Sequence, residues 1–312
     1  MTGARLIANS ARTNLIGLPR ETGTPAEIAR KVILANAGKV LIAGQGHFRY
    51  FWIADFGKSI RGLMTVLPKP YLMGLVNRVL DAAVARGSVP TCLSEERAFD
   101  LPYPRADGLP WLVHAIDALD PTAFQHRRSE IESIVARFVA DHFSPETGLM
   151  HPGVRGDWMD TIRRPSSTYN NLFALHLFRT LEKHGIAAGV ATERAAALER
   201  DLVAQRWTGT HFTDYHGSSD YLSADANAPA LYLGLFSPAL RTKIVDAIEA
   251  SDLLRPVPIR IAEQVHHAAL MPAFTHFTRE YHSSAWLHMG LLYVAGLRNE
   301  RRSEADGHLE RV

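Results

Sequence analysis

Apolar residues along this chain recur mostly at intervals of three and four positions, which is the spacing of amphipathic α-helices. Gly87 and Gly185 follow two of these stretches as helix-ending glycines, and Ser237-Pro238 precedes another as a cap followed by proline. Strand-type alternation is scarce, and residues 40–44 are the best candidate for a short strand. The pattern predicts helices over residues 25–37, 53–67, 71–86, 109–119, 128–143, 168–184, 190–206, 225–235, 238–249, 260–268 and 284–298.

The connections between these helices are unusually rich in aromatic, acidic and small polar residues. They include residues 47–55, 102–108, 155–160, 214–217 with 225–227, and 279–282. Aromatic rings stack on the C–H faces of sugars, while Asp, Asn and Arg hydrogen-bond their hydroxyls. Glycoside hydrolysis then needs one protonated carboxyl and a second carboxylate. Aspartate also caps helices, so composition alone leaves both interpretations open.

Composition narrows the class of protein. The 312 residues are 46% hydrophobic and 21% charged, which is ample for a sizeable core. Lys and Arg number 34 against 32 Asp and Glu, and no long basic run argues for a nucleic-acid partner. A single cysteine, Cys92, excludes an internal disulfide and fits a reducing compartment. Without an apolar membrane-length stretch or a secretory signal, we expect a soluble cytoplasmic protein with no membrane partner.

Five segments, in order, resemble one known family. They are LIAGQGHFRYFWIADFGKSIRGL (41–63), VLDAAVARGSVPTCLSEER with YPRADGLPWLVHAIDAL (79–119), the stretch around Trp158-Met159-Asp160 (146–185), DYLSADANAPALYLGLFSPALRTKIVDAIEAS (220–251) and EYHSSAWLHMGLLYVAGL (280–297). This is similar to the amylo-α-1,6-glucosidase domain of glycogen-debranching enzymes, a six-hairpin glycosidase family. The resemblance covers roughly residues 38–298.

The resemblance implies an all-α fold, a single (α/α)6 barrel over residues 25–298. We expect residues 1–24 to be an N-terminal arm and residues 299–312 a charged C-terminal tail. It also implies a glycoside hydrolase that cleaves an α-glucosidic bond by an inverting two-carboxylate mechanism. The expected partner is a carbohydrate or oligosaccharide, while the sugar, the linkage and the oligomeric state stay open.

By the same resemblance, Asp160 of Trp-Met-Asp is the expected general acid, and its pKa should be raised by burial or by a nearby carboxylate. Glu280 is the candidate general base, weighed against a plain salt bridge with Arg279. The other candidates for sugar binding lie in the same loops: Trp52, Asp55, Asp107, Asp157, Trp158, Tyr169, Asn170, His216, Asp225, Asn227, His282 and Trp286.

Departures from the family pattern keep other interpretations open. The chain has Ala54 where the family has Arg, Thr168 where it has Glu, and no carboxylate in the final helix after Trp286. The alternatives are hydrolysis of a small α-glucoside or trehalose-like disaccharide, a non-catalytic sugar-binding barrel that has lost its base, and, more remotely, a lyase or epimerase with a Tyr or His base.

Metal and cofactor motifs are scarce in this sequence. The 15 histidines match no zinc-binding spacing, and Gly44-Gln45-Gly46 lacks the context of a dinucleotide site. We therefore expect no cofactor and no transition metal, with calcium left open because loop aspartates suit it.

Overall fold

The computed structural model describes residues 21–44, 49–101, 103–159, 161–264, 266–271 and 284–312. The chain divides into two compact units, Met1–Phe138 and Val139–Val312. Helices dominate both. Within the described ranges, no helix is long and apolar enough to cross a membrane.

The first unit combines helices with a small antiparallel sheet of strand order β1-β2-β3. Phe51 pairs with Leu93, and Cys92 pairs in turn with Phe99. The elements are α1 (Pro25–Asn36), β1 (Phe51–Trp52), α2 (Ile53–Leu63), α3 (Lys69–Arg86), β2 (Cys92–Leu93), β3 (Ala98–Phe99), α4 (Gly108–Leu119), the short α5 (Ala123–His126) and α6 (Arg128–His142), whose end belongs to the second unit.

Helices α2 and α4 form the tightest packing of the first unit because a glycine lies between them. A Cβ at Gly57 would lie 2.6 Å from the carbonyl oxygen of Trp111, far inside van der Waals contact. Trp111 itself is fully buried, as expected for a core residue. Only a residue without a side chain permits this close approach of two helices.

The second unit is built from paired helices joined by long loops. Its elements are α7 (Thr168–Lys183), α8 (Ala188–Arg206), α9 (Ala228–Tyr232), α10 (Pro238–Glu249), α11 (Leu287–Asn299) and α12 (Glu304–Leu309), with 3₁₀ turns at Asp252–Leu254 and Ala268–Leu270. Helix α7 packs along α8, and α9 packs along α11. A Cβ at Gly296 would lie 2.6 Å from the Leu231 Cβ, so α9 and α11 also meet at a glycine.

Most of the predicted helices are confirmed to within a few residues. The expected caps are present: Gly87 and Gly185 have φ values of 81° and 66°, and the Ser237 side chain accepts a hydrogen bond from Leu240 N. The predicted helix over 260–268 is wrong. Ile259, Ile261 and Ala262 are all buried, with the half-buried Arg260 between the two isoleucines.

That stretch is in fact extended. Arg260 forms an antiparallel bridge with Ala285, and Ala262 forms one with Ser223. The predicted strand over 40–44 is also wrong, since Leu41 makes one isolated bridge with Ala37 across a tight turn. The strands of the first unit are only two residues long, too short for a periodicity to reveal.

The charged C-terminal tail folds onto the second unit. Ala305 and His308 on α12 are buried. His308 Nε2 lies 2.9 Å from Glu249 Oε1, which also accepts a 2.5 Å hydrogen bond from the Tyr293 hydroxyl. Residues 304–309 are therefore part of the packed structure. The domain limits at 25 and 298 stay a prediction.

Candidate functional site

A buried arginine with three aspartates forms the most concentrated charge cluster in the described part of the second unit. Nη2 of Arg164 lies 2.8 Å from Oδ2 of both Asp157 and Asp225, and Nη1 lies 2.5 Å from Oδ1 of Asp214. All four side chains have 0% exposure. We call these four residues the Arg164 cluster. The cluster joins three segments that are distant in sequence.

Asp214 extends this cluster through its second oxygen. Oδ2 accepts a 2.6 Å hydrogen bond from the Tyr221 hydroxyl and lies 2.9 Å from Nε2 of His266. Burial acts to raise the pKa of Asp214, but the Arg164 guanidinium and His266 outweigh it and hold that pKa below its usual range. Because Asp214 is ionised, Nε2 is the protonated ring nitrogen of His266, while its Nδ1 is buried without a hydrogen-bond partner.

Asp157 differs from Asp214 although both contact the same guanidinium. Burial raises the pKa of Asp157, the nearby Asp225 raises it further, and Arg164 offsets this only in part. Burial acts to lower the pKa of Arg164, but its three carboxylates raise it well above the ordinary value. Asp157 therefore protonates more readily than Asp214.

Local hydrogen bonds fix the loops that carry these acids. Both side-chain groups of Asn227 hold Phe212, with Oδ1 accepting from its N–H at 2.8 Å and Nδ2 donating to its carbonyl at 3.0 Å. The Ser223 hydroxyl donates to Asp225 Oδ1 at 2.5 Å. Asn227 and Asp225, both predicted to bind sugar, are fully buried within this framework. Their roles toward a sugar stay predictions.

An aromatic group adjoins the Arg164 cluster. The Trp158 Nε1–H donates to Asp225 Oδ2 at 2.8 Å. Its ring packs edge-on against Trp286 and His288, with centroid distances of 5.4 and 4.8 Å. Trp286 and His288 are half-buried, whereas Trp158 is 6% exposed. The structure thus brings together Trp158, Trp286 and Asp225 from the set predicted by sequence.

The remaining described candidates of the second unit lie around the same loops. Tyr169 is fully buried against Phe173, at a centroid distance of 4.6 Å. Asn170 donates from Nδ2 to Gly156 O at 3.0 Å, and its buried Oδ1 has no hydrogen-bond partner. His216 is exposed, with its backbone N–H bonded to Pro165 O. Asn170 therefore supports the backbone immediately before Asp157.

The candidates of the first unit lie in two places. Trp52, which is 8% exposed, and Asp55, whose side chain is 54% exposed, line a mostly apolar cavity of 230 Å³ between α1 and α2. Asp107 is fully buried just before α4. Its carboxylate accepts hydrogen bonds from Nε and Nη2 of Arg105, at 2.9 and 2.6 Å. Their predicted contacts to a sugar stay untested.

Asp160, Glu280 and His282 lie outside the described residues. The structure does define what flanks Asp160, since Met159 and Ile162 are both fully buried. Ile162 N donates to Met159 O at 3.3 Å, and Met159 N donates to Asp157 Oδ1 at 2.8 Å. The roles of the three outlying residues stay predictions.

Sequence reasoning missed the charged centre of this site. It singled out neither Arg164 nor Tyr221, and it placed His266 on a helix that does not exist. Asp214 lies in a loop that the sequence singled out as rich in aromatic and acidic residues. The sequence did not indicate that its partner is Arg164. The signal available in sequence was an arginine followed by proline in a loop, which is too common to indicate a buried ion pair.

His, Cys, Asp and Glu are the side chains that could bind a metal ion in the described structure. Among the residues it covers, no group of three or more His, Cys, Asp or Glu side chains is arranged to hold a metal ion. The acids of the Arg164 cluster face a guanidinium instead.

Comparisons with solved structures place this architecture among known proteins. A GH63 mannosylglycerate hydrolase from Thermus thermophilus in complex with Tris superposes with a TM-score of 0.65 at 12% identity, covering 91% of this chain and 90% of that one. A glycosidase in its wild-type form gives 0.66 at 17% identity, covering 98% of this chain and 83% of that one. The fold is an (α/α)6 barrel.

The same mannosylglycerate hydrolase has also been solved in complex with glucose, and that structure matches with a TM-score of 0.66 at 12% identity over 92% of this chain and 90% of that one. No family model and no curated protein matches the sequence. The likeness confirms the fold that the sequence resemblance implied. The debranching-enzyme family itself stays a prediction.

Proposed function

We propose that this protein is a glycoside hydrolase that cleaves an α-glucosidic bond. The observation that carries the proposal is the Trp158-Met159-Asp160 segment. Its described residues, Trp158 and Met159, donate hydrogen bonds to Asp225 and Asp157, two buried acids of the Arg164 cluster. Trp158 also belongs to the aromatic group, and the fold is one that solved glycosidases share. Rigid support around a candidate acid and an adjacent aromatic surface are what a sugar-cleaving site requires.

In this mechanism Asp160 protonates the leaving oxygen and Glu280 activates water on the opposite face of the sugar. Inversion requires the two carboxyl groups to be about 6.5 to 9.5 Å apart, leaving room for that water. The half-buried Trp286 offers a ring on which a pyranose stacks. Trp158 holds that ring from behind, because its own indole is fixed by Asp225.

The substrate that we favour is a small glycoside rather than a branched polymer. A mannosylglycerate hydrolase matches this chain over nine-tenths of both lengths, and it acts on a sugar joined to a small acid. The amylo-α-1,6-glucosidase activity implied by the sequence resemblance is the second substrate class. A trehalose-like disaccharide is the third.

The test is a hydrolysis screen monitored by NMR for the anomer released. The panel contains α-glucosyl and α-mannosyl glycerate, trehalose and an α-1,6-linked glucan, with Asp160→Asn, Glu280→Gln and the exposed control Asp246→Asn. We expect release of the β-anomer from a small α-glycoside by the wild type and the control, and loss of hydrolysis in the other two variants.

Other outcomes would change the proposal in defined ways. Release of the α-anomer would contradict inversion. Full activity in Glu280→Gln would remove Glu280 as the base. Binding of sugars by calorimetry without any hydrolysis would identify a non-catalytic barrel, the alternative suggested by the absence of a carboxylate in helix α11.

A further inference from the structure

The two ends of the segment around position 160 are tied together by their own side chains. Asp157 and Arg164, seven positions apart, form a 2.8 Å ion pair with no exposure to solvent. The segment between them carries the candidate acid. An ion pair between the two ends of a loop holds those ends together and so restricts the backbone between them.

Other bonds fix the same segment at intermediate points. The Trp158 indole donates to Asp225, and Arg163 N donates to Leu270 O at 2.8 Å. Ile162 N bonds to Met159 O, so the backbone is anchored on both sides of position 160. Among these anchors, Arg164 bonds to both Asp157 and Asp225. It therefore fixes the position of the 157–164 segment relative to the loop that carries Asp225.

The chemistry of this cluster favours a positioning role over a stabilising one. One guanidinium faces three buried carboxylates, and the free energy lost on burying such charges is only partly recovered by pairing. The planar fork of arginine fixes the directions of its partners, which a lysine ammonium does not. Such a cluster adds little net free energy of folding, but it fixes the directions of its carboxylate partners. This property is useful in a loop that must hold a reacting group in place.

We propose that Arg164 is a positioning residue. It holds the 157–164 segment, and with it Asp160, in the geometry needed for proton donation, while its bond to Asp225 also sets the orientation of Trp158. This inference rests on the proposed function, because it assigns Asp160 as the acid. Arg164 acts through its carboxylate partners and does not itself contact the sugar.

The first experiment compares Arg164→Lys with Arg241→Lys. Arg241 is a matched control, because it also forms a tight ion pair in the second unit, to Glu300 at 2.6 Å, away from the segment. We expect Arg164→Lys to fold, to lower kcat about 10- to 100-fold and to change KM by less than about 3-fold, as for a misplaced catalytic group. Arg241→Lys should keep the wild-type kcat.

A second variant covers the case in which Arg164→Lys does not fold. Asp157→Asn weakens the link from Arg164 to the start of the segment and leaves its bonds to Asp214 and Asp225 in place. We expect it to fold and to lower kcat with little change in KM. A rise in KM without a fall in kcat would instead make Asp157 a sugar contact and overturn the positioning role, as would an unchanged kcat in a folded Arg164→Lys.

Hydrogen–deuterium exchange separates this inference from the proposed function. We expect faster exchange across residues 157–164 in Arg164→Lys, with helix α10 unchanged. If the wild type hydrolyses nothing, the proposed function fails, yet this local increase would still establish that Arg164 positions the segment. Equal exchange in wild type and variant would overturn the positioning role even in an active enzyme.

Discussion

Each unit of this molecule buries an arginine against aspartate, but the two arrangements differ in the parts of the chain that they join. In the first unit, Arg105 holds Asp107 with a fork of two hydrogen bonds. In the second, Arg164 holds three aspartates at once. Arg105 and Asp107 lie two positions apart, whereas Asp214 lies 50 positions from Arg164. The first pair orders its own loop, while the Arg164 cluster orders three segments together.

Removing each arginine should separate the two arrangements most strongly. We expect Arg164→Met to lower the free energy of unfolding by about 5 kcal/mol, because three carboxylates lose their counter-charge in a dry interior. Arg105→Met should cost less, about 3 kcal/mol, since it breaks a fork to one carboxylate, that of Asp107. Urea denaturation at pH 7 measures both, and equal losses would mean that the number of carboxylates does not matter.

Within the Arg164 cluster, replacing Asp214 by asparagine should cost far more stability than replacing Asp157. The lowered pKa of Asp214 means that its charge stabilises the fold at pH values above its usual range, and this contribution is lost as the pH falls through the lowered value. We expect Asp214→Asn to cost about 3 kcal/mol at pH 7, including bonds to three donors.

Asp157 provides the contrast. Its pKa is raised, so the folded state favours the protonated form, and the charge is a cost at pH 7 that disappears as the pH falls below the raised value. Asp157→Asn should therefore change the free energy of unfolding by less than about 1 kcal/mol. Denaturant midpoints measured for both variants at pH 7 and pH 4 test the contrast, which a large loss in Asp157→Asn would contradict.

The first unit carries a buried histidine of its own, His114 in helix α4. Burial lowers the pKa of His114 to about 4 from the ordinary 6.5. Below pH 6.5 the unfolded chain takes up a proton that the folded chain resists, so stability falls as the pH drops from 6.5 toward 4. We expect a loss of about 2 kcal/mol over this range. His114→Gln should flatten it in thermal melts, and an unchanged pH dependence would exclude His114 as its source.

The smallest expected difference concerns the glycines that end one helix in each unit. Gly87 and Gly185 both have positive φ, so alanine at either position should cost about 1 kcal/mol. A Cβ at Gly87 would also meet the Arg137 guanidinium, whereas Gly185 faces open space. Gly87→Ala should therefore lower the melting temperature more than Gly185→Ala. Equal losses would show that the Arg137 side chain moves aside freely, and a greater loss at Gly185 would contradict the prediction.

Sequence patterns predicted the helices well because helical periodicity and caps are local. They failed at 259–262, where the extended conformation depends on bridges from Arg260 and Ala262 to residues far along the chain. The loop of the candidate acid was found through its Trp-Met-Asp motif. The ion pairs that support this loop were not predicted. The partners of Arg164 lie at irregular distances along the chain, two of them in other loops, so no sequence spacing indicates them.

The Arg164 cluster also constrains how this sequence can vary. Replacing the arginine alone leaves three buried acids without a cation, and replacing Asp214 alone removes the acceptor that Arg164, Tyr221 and His266 share. We therefore expect substitutions at positions 164, 214 and 225 to be correlated among related chains, whereas position 157 can change on its own. A relative that has lost the arginine should have lost at least two of the acids with it, so that such changes cross a barrier in sequence space together rather than one at a time.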